Sequence, residues 1–194
     1  MAIRFNKRTR VCKGVPKDIK EVLYAVIDDI GRERIRADVS SNIESSRKYC
    51  AEIVDRCTHD LGGEANDDEA LGNLCEALLH FMLTASLLPS ERKVTVDGTE
   101  LDVVVPSVKN LAKSPDKTLV IQVIKANADM ARIKQAQAVQ KNIENLWIIS
   151  ARKVDYKGRN YHLGNAKFQY SSVVSDIRAF LARKGVSSLK MLHG

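Results

Sequence analysis

Asp102, Gln122 and Lys125 are the residues with which this sequence has the means to do chemistry. Asp102 stands among the valines of the run from Gly98 to Pro106, and Gln122 and Lys125 belong to the run Leu119-Val-Ile-Gln-Val-Ile-Lys125. Both runs read as strands of a sheet core, so a carboxylate, an amide and an ammonium are expected on neighbouring strands. Carboxylate oxygen is a ligand for hard cations and ammonium answers phosphate, which makes these two strands the place to look for function. Glu76 is a further candidate. It falls at the border of a helical stripe of Leu71, Leu74, Cys75, Leu78, Leu79 and Met82, from where it reaches a site beside the core, unless it is a flank charge left in water.

The elements that must position these residues follow from periodicity and turn chemistry. Arg92 to Val96 and Thr99 to Val105 flank Asp97-Gly98, the two-residue loop of a type I′ hairpin. That register pairs Val94 with Leu101 and Lys93 with Asp102. It puts Val94, Val96, Leu101 and Val103 on one face and Lys93, Thr95, Glu100 and Asp102 on a wet face, with a Lys93–Asp102 ion pair. Pro106 to Asp116 is a polar loop with Lys109, Lys113 and Lys117 in or beside it. Leu119 to Ile124, a helix of Asp129 to Glu144 and the strand Leu146 to Ile149 make a βαβ unit with a parallel pair and a right-handed crossover. Ile133, Ala136, Val139 and Ile143 form that helix's inward stripe, with Arg132 inside it at the first turn.

Before the hairpin, a basic arm with Arg4, Lys7, Arg8 and Arg10 leads to a helix of Lys17 to Ile30 that stops at Gly31. A second helix starts at Ser40 or Ser41 and runs to Leu61, Gly62 to Asp68 is a linker, and a third helix covers Asp68 to Ser86. After the βαβ unit, Val154 to Leu163 reads as a hairpin turning at Lys157-Gly158, with Tyr156 and Tyr161 on its arms. A last helix covers Ser172 to Lys184 and stops at Gly185. The expected division is a basic arm and helical subdomain over residues 1–61 and an α/β core with a C-terminal hairpin and helix over residues 68–194.

Composition bounds the function classes. With 44% apolar residues in 194, the chain has enough for a substantial core, and an excess of 31 basic over 24 acidic residues suits a polyanionic partner. The charged start has no apolar run behind it, and no stretch of eighteen apolar residues occurs, so no membrane association and a cytoplasmic location are expected. Cys12, Cys50, Cys57 and Cys75 lack zinc spacing and read as buried hydrophobes, and His59, His80, His162 and His193 are scattered. No phosphate loop, dinucleotide fingerprint or nucleophile elbow occurs.

A helix with an acid, a hairpin with an Asp in its second strand, a central strand leading to a lysine, a helix and a strand: this order resembles the PD-(D/E)XK nuclease-like superfamily over about residues 68–150, as a diverged or degenerate member. The resemblance implies an α/β fold with a restriction-endonuclease-like mixed central sheet flanked by helices. By motif, Glu76 matches the helix acid that some members use, Asp102 the metal-binding Asp, and Gln122 with Lys125 the (D/E)xK site. The nineteen residues between Asp102 and Gln122 fit the family's spacing. In such a site two acids hold Mg²⁺, the metal polarises the scissile phosphate, and the lysine orients or activates water. The implied catalytic set is thus Glu76, Asp102, Gln122 and Lys125, with Glu76 and Asp102 for the metal.

The sequence departs from that pattern in two places. Gln122 stands where the second acid belongs, and Lys125 is three residues on rather than two, so a regular strand turns it to the opposite face and gives its place to Ile124. A bulge near Ile124 would restore the alignment. Arg132 is the candidate for a substitute charge from the following helix. Lys109, Lys113, Lys117, Arg132 and Arg159 are the expected nucleic-acid contacts, with Tyr156 and Tyr161 for bases.

The first functional expectation is a nuclease-like protein that associates with DNA or RNA and has weak or no metal-dependent cleavage. One alternative is a non-catalytic protein-interaction or adaptor module of the transcription, repair or recombination machinery. Another is an active Mg²⁺-dependent endonuclease using Asp102. The resemblance also implies a homodimer.

Overall fold

The computed structural model describes residues 18–61, 67–125, 130–152, 154–163 and 169–186. The basic arm with Arg4, Lys7, Arg8 and Arg10, most of the linker, Cys12 and His193 lie outside the described residues. The hairpin forms as its turn demands. Asp97 and Gly98, with φ of 48° and 76°, join β1 (Glu91–Val96) to β2 (Thr99–Val105). β3 (Leu119–Ile124) pairs antiparallel with β2, β4 (Leu146–Ser150) parallel with β3, and β5 (Arg159–His162) parallel with β4, so the five-stranded sheet follows chain order. All six residues of β3 are buried, as the apolar, β-branched run predicts for a central strand.

Helices cover both faces. On one side α1 (Ile19–Ile30), α2 (Arg32–Ser41), α3 (Ser45–Leu61), α4 (Asp68–Ala85) and α7 (Val173–Arg183) share a single apolar cluster with Val103, Leu119, Ile121, Val123, Trp147 and Ile149. On the other, α5 (Val108–Lys113) and α6 (Met130–Val139) pack Leu111, Ile133 and Ala136 against Leu101, Val104, Val120, Ile124 and Ile148. Odd residues of β3 face the first layer and even residues the second, as the pleat requires. This is the mixed, helix-flanked α/β sheet that the sequence implies.

Several elements differ from expectation. α2 is an extra helix that starts directly after Gly31 (φ 103°) and buries only Ile35 and Val39, too thin a stripe to read in sequence. α6 ends at Val139, well short of Glu144. There Gln140 turns its amide inward, with Nε2 donating to the carbonyls of Pro115 (3.0 Å) and Thr118 (2.8 Å), and a short turn of Ile143–Asn145 leads into β4. The expected second hairpin is replaced by a parallel β5. The Tyr156 hydroxyl donates to the Leu146 carbonyl at 2.9 Å, folding the first arm onto β4 instead of pairing it with β5.

Candidate functional site

β2 and β3 are laddered from Val105↔Leu119 to Val103↔Ile121, and beyond that pair side chains take over from the backbone. The Asp102 amide donates to Gln122 Oε1 (3.2 Å), Gln122 Nε2 donates to the Glu100 carbonyl (2.9 Å), and the Val123 amide donates to Asp102 Oδ2 (2.9 Å). These side-chain bonds answer the Asp102 and Val123 amides and the Glu100 carbonyl where the β2–β3 ladder stops. Gln122 is fully buried and spends both ends of its amide on main chain.

The other Asp102 oxygen, Oδ1, accepts from Lys93 Nζ at 2.8 Å and from the Arg132 guanidinium at 2.9 Å. The register-derived Lys93–Asp102 pair is therefore present, but its face is not wet, for the Asp102 side chain is 0% exposed. The facing of the hairpin differs too. Leu101 joins the α6 layer while Val103 joins the α4 layer. The change of face falls opposite Lys93, whose backbone is left-handed (φ 49°) and which is absent from the ladder, while Arg92↔Val103 and Val94↔Leu101 stay in step.

α4 supplies Glu76, which is 8% exposed and so is no flank charge in water. Its Oε1 meets Lys93 Nζ at 2.9 Å and the Arg92 guanidinium at 3.5 Å, and its Oε2 meets Lys125 Nζ at 2.6 Å. Lys125 follows the last residue of β3 and turns to the α4 side, opposite the even-numbered face that carries Gln122, as its three-residue spacing predicts. Gly72, one helical turn before Glu76, makes room. A Cβ there would lie 2.7 Å from Lys125 Cγ and 3.0 Å from its Cα.

A chain of charges thus crosses the sheet from Lys125 through Glu76, Lys93 and Asp102 to Arg132. Glu100, more exposed, lies 3.8 Å from Lys93 and 3.7 Å from Arg132. Burial pushes the Glu76 carboxyl up, but the ammonium groups of Lys125 and Lys93 outweigh it and hold it down to about 2. Burial likewise favours neutral Lys93, and the carboxylates of Asp102 and Glu76 overcome it, raising the ammonium above its ordinary range. The cluster holds three acids and four bases.

These residues fit poorly around Mg²⁺. Every carboxylate of the cluster already faces a base, and among the described residues no group of three or more His, Cys, Asp and Glu is arranged to hold a metal. The four residues of the implied catalytic set do come together, with Arg132 beside them. Sequence reasoning missed the central part of Lys93 and the presence of Arg92. The turn register already pointed Lys93 at Asp102, but its reach to α4 is a tertiary contact with no local signal.

The expected nucleic-acid contacts are dispersed. Lys109 and Lys113 on α5 and Lys117 beyond it are exposed, at the Leu119 end of β3, about 20 Å along the strand from Lys125. Arg159, on the edge strand, lies 4.6 Å over the Trp147 ring and bonds the Tyr161 hydroxyl at 3.1 Å. Tyr161 is fully buried and donates to Asp176 at 2.7 Å, so it offers no face to a base. Cys50, Cys57 and Cys75 are buried free thiols; burial pushes Cys50 up to about 12 and Cys57 to about 11 and raises Cys75 as well, so none of these three is a thiolate nucleophile at neutral pH. No described helix is long and apolar enough to cross a membrane.

No protein-family model matches the sequence, and no curated protein matches it. Solved structures do match the fold. The restriction endonuclease PspGI in its substrate DNA complex aligns with a TM-score of 0.53 and 11% identity, over 86% of this chain and 94% of that one. Metal-depleted Ecl18kI in complex with uncleaved, modified DNA aligns with a TM-score of 0.54 and 9% identity, over 86% of this chain and 80% of that one. At such identities the likeness is one of architecture. The chain has a restriction-endonuclease-like fold.

Proposed function

We propose that this protein binds nucleic acid, duplex DNA first, through a nuclease-like fold whose acid cluster is neutralised from within, and that it carries out no metal-dependent cleavage. The observation that carries the reading is that Glu76, Glu100 and Asp102 are each met by Lys93, Lys125 or Arg132 within 4 Å. A divalent ion entering there has to displace ammonium or guanidinium from carboxylates it needs as ligands, in a cluster whose formal balance is already positive. The same balance suits phosphate. The fold's likeness to two endonucleases whose structures contain DNA supports DNA as the polyanion to test first.

In this reading Arg132 and the exposed part of Lys93 meet phosphate at the cluster, and Lys109, Lys113 and Lys117 extend the contact along the β2–β3 connection. Gel retardation of duplex DNA across a salt series tests it. Retention is expected to fall steeply with salt, and replacing Lys109, Lys113 and Lys117 together by alanine is expected to reduce the slope of log affinity against log salt by about 2.7. An unchanged slope removes the three lysines from the interface. Absent retention by folded protein removes nucleic acid from the function and favours a protein-docking role.

A further inference from the structure

The two buried carboxylates are pinned in the same manner. Asp102 Oδ2 is fixed by the Val123 amide at 2.9 Å and Glu76 Oε2 by Lys125 at 2.6 Å, while Oδ1, which also accepts from Arg132 at 2.9 Å, and Oε1, with the Arg92 guanidinium at 3.5 Å, both face one point between α4 and β2. Lys93 Nζ sits at that point, 2.8 Å from Asp102 Oδ1 and 2.9 Å from Glu76 Oε1, with Glu100 Oε1 at 3.8 Å. Lys93 reaches it from a left-handed backbone (φ 49°), a conformation that costs a side-chain-bearing residue free energy and persists where its surroundings enforce it. Carboxylate oxygens from separate elements converging on one cation is the arrangement that binds a metal, and here the cation belongs to the chain.

We propose that Lys93 is the resident cation of this cluster: its ammonium occupies the point that Glu76 and Asp102 would share around a divalent ion, and such an ion binds only when that ammonium is removed. The inference rests on reading the cluster as the nuclease-like site, but its test contains no nucleic acid, so failure of DNA retention and failure of this inference are separate results. Removing one positive charge changes the cluster from four bases and three acids to three of each, and opens the shared point without altering either carboxylate.

The experiment is thermal unfolding in millimolar Mn²⁺ at constant ionic strength, with loss of the free-ion Mn²⁺ resonance as a direct readout of binding. Wild type is expected to show neither a shift nor loss of free Mn²⁺. Lys93→Met, which keeps length and removes charge, is expected to bind Mn²⁺ and gain about 3 °C or more in Tm. Adding Asp102→Asn to Lys93→Met is expected to abolish both effects, and methylammonium is expected to compete with the ion. Mn²⁺ binding to wild type that Asp102→Asn removes overturns the proposal, as does a folded Lys93→Met that ignores Mn²⁺. Where Lys93→Met is unfolded without additions, recovery of its circular dichroism on adding Mn²⁺ supports the proposal and failure to recover overturns it.

Discussion

Asp102 serves three partners from a fully buried position: Lys93, Arg132 and the Val123 amide. Asp102→Ala is expected to lower stability by about 3 kcal/mol in urea unfolding, toward the low end for a broken buried pair, because Lys93 retains Glu76 and Arg132 retains Glu100. Glu76 gives a pH signature. Its folded carboxyl is held down to about 2 against an ordinary value of 4.5, so the stability it contributes is complete above pH 4.5 and is lost as pH falls toward 2. Unfolding measured between pH 6 and 2 should show that loss in wild type and a flatter curve in Glu76→Gln. Of these residue roles, the Lys93–Asp102 pair is legible in sequence because an Asp-Gly turn fixes register. The burial of Glu76 is not, because a helix wheel places it on a border and only the docking of α4 on the hairpin decides which side wins.

At the scale of elements, the contact between α4 and the end of β3 sets where Lys125 goes. An interior helical glycine ordinarily gains up to about 1 kcal/mol when replaced by alanine. At Gly72 the added methyl would meet the Lys125 main chain and side chain, so Gly72→Ala is expected to destabilise by about 1–2 kcal/mol and to weaken the Glu76–Lys125 contact. Thermal melts of Gly72→Ala beside Gly72→Ala/Glu76→Gln check this; the pair should be less than additive. Strong apolar runs made α1, α4, β3, β4 and α7 readable within a few residues. α2, the early end of α6 and the parallel β5 were not, because each is decided by a distant partner: the α4 layer for Ile35 and Val39, the Pro115 and Thr118 carbonyls for Gln140, and Leu146 for Tyr156.

For the whole molecule, element order alone indicated the architecture, since an antiparallel hairpin feeding a βαβ unit leaves few ways to build the sheet. What element order cannot convey is whether such a scaffold carries nuclease chemistry, which depends on how charges from α4, β1, β2 and α6 meet in space. Here they meet as a closed chain of ion pairs centred on Lys93. The most direct test incubates duplex, single-stranded and branched DNA with the wild-type protein in Mg²⁺ or Mn²⁺, alongside retention in chelator. The account predicts that duplex DNA is retained equally with and without the ion and that every substrate is recovered intact. Metal-dependent cleavage that Asp102→Asn abolishes contradicts it.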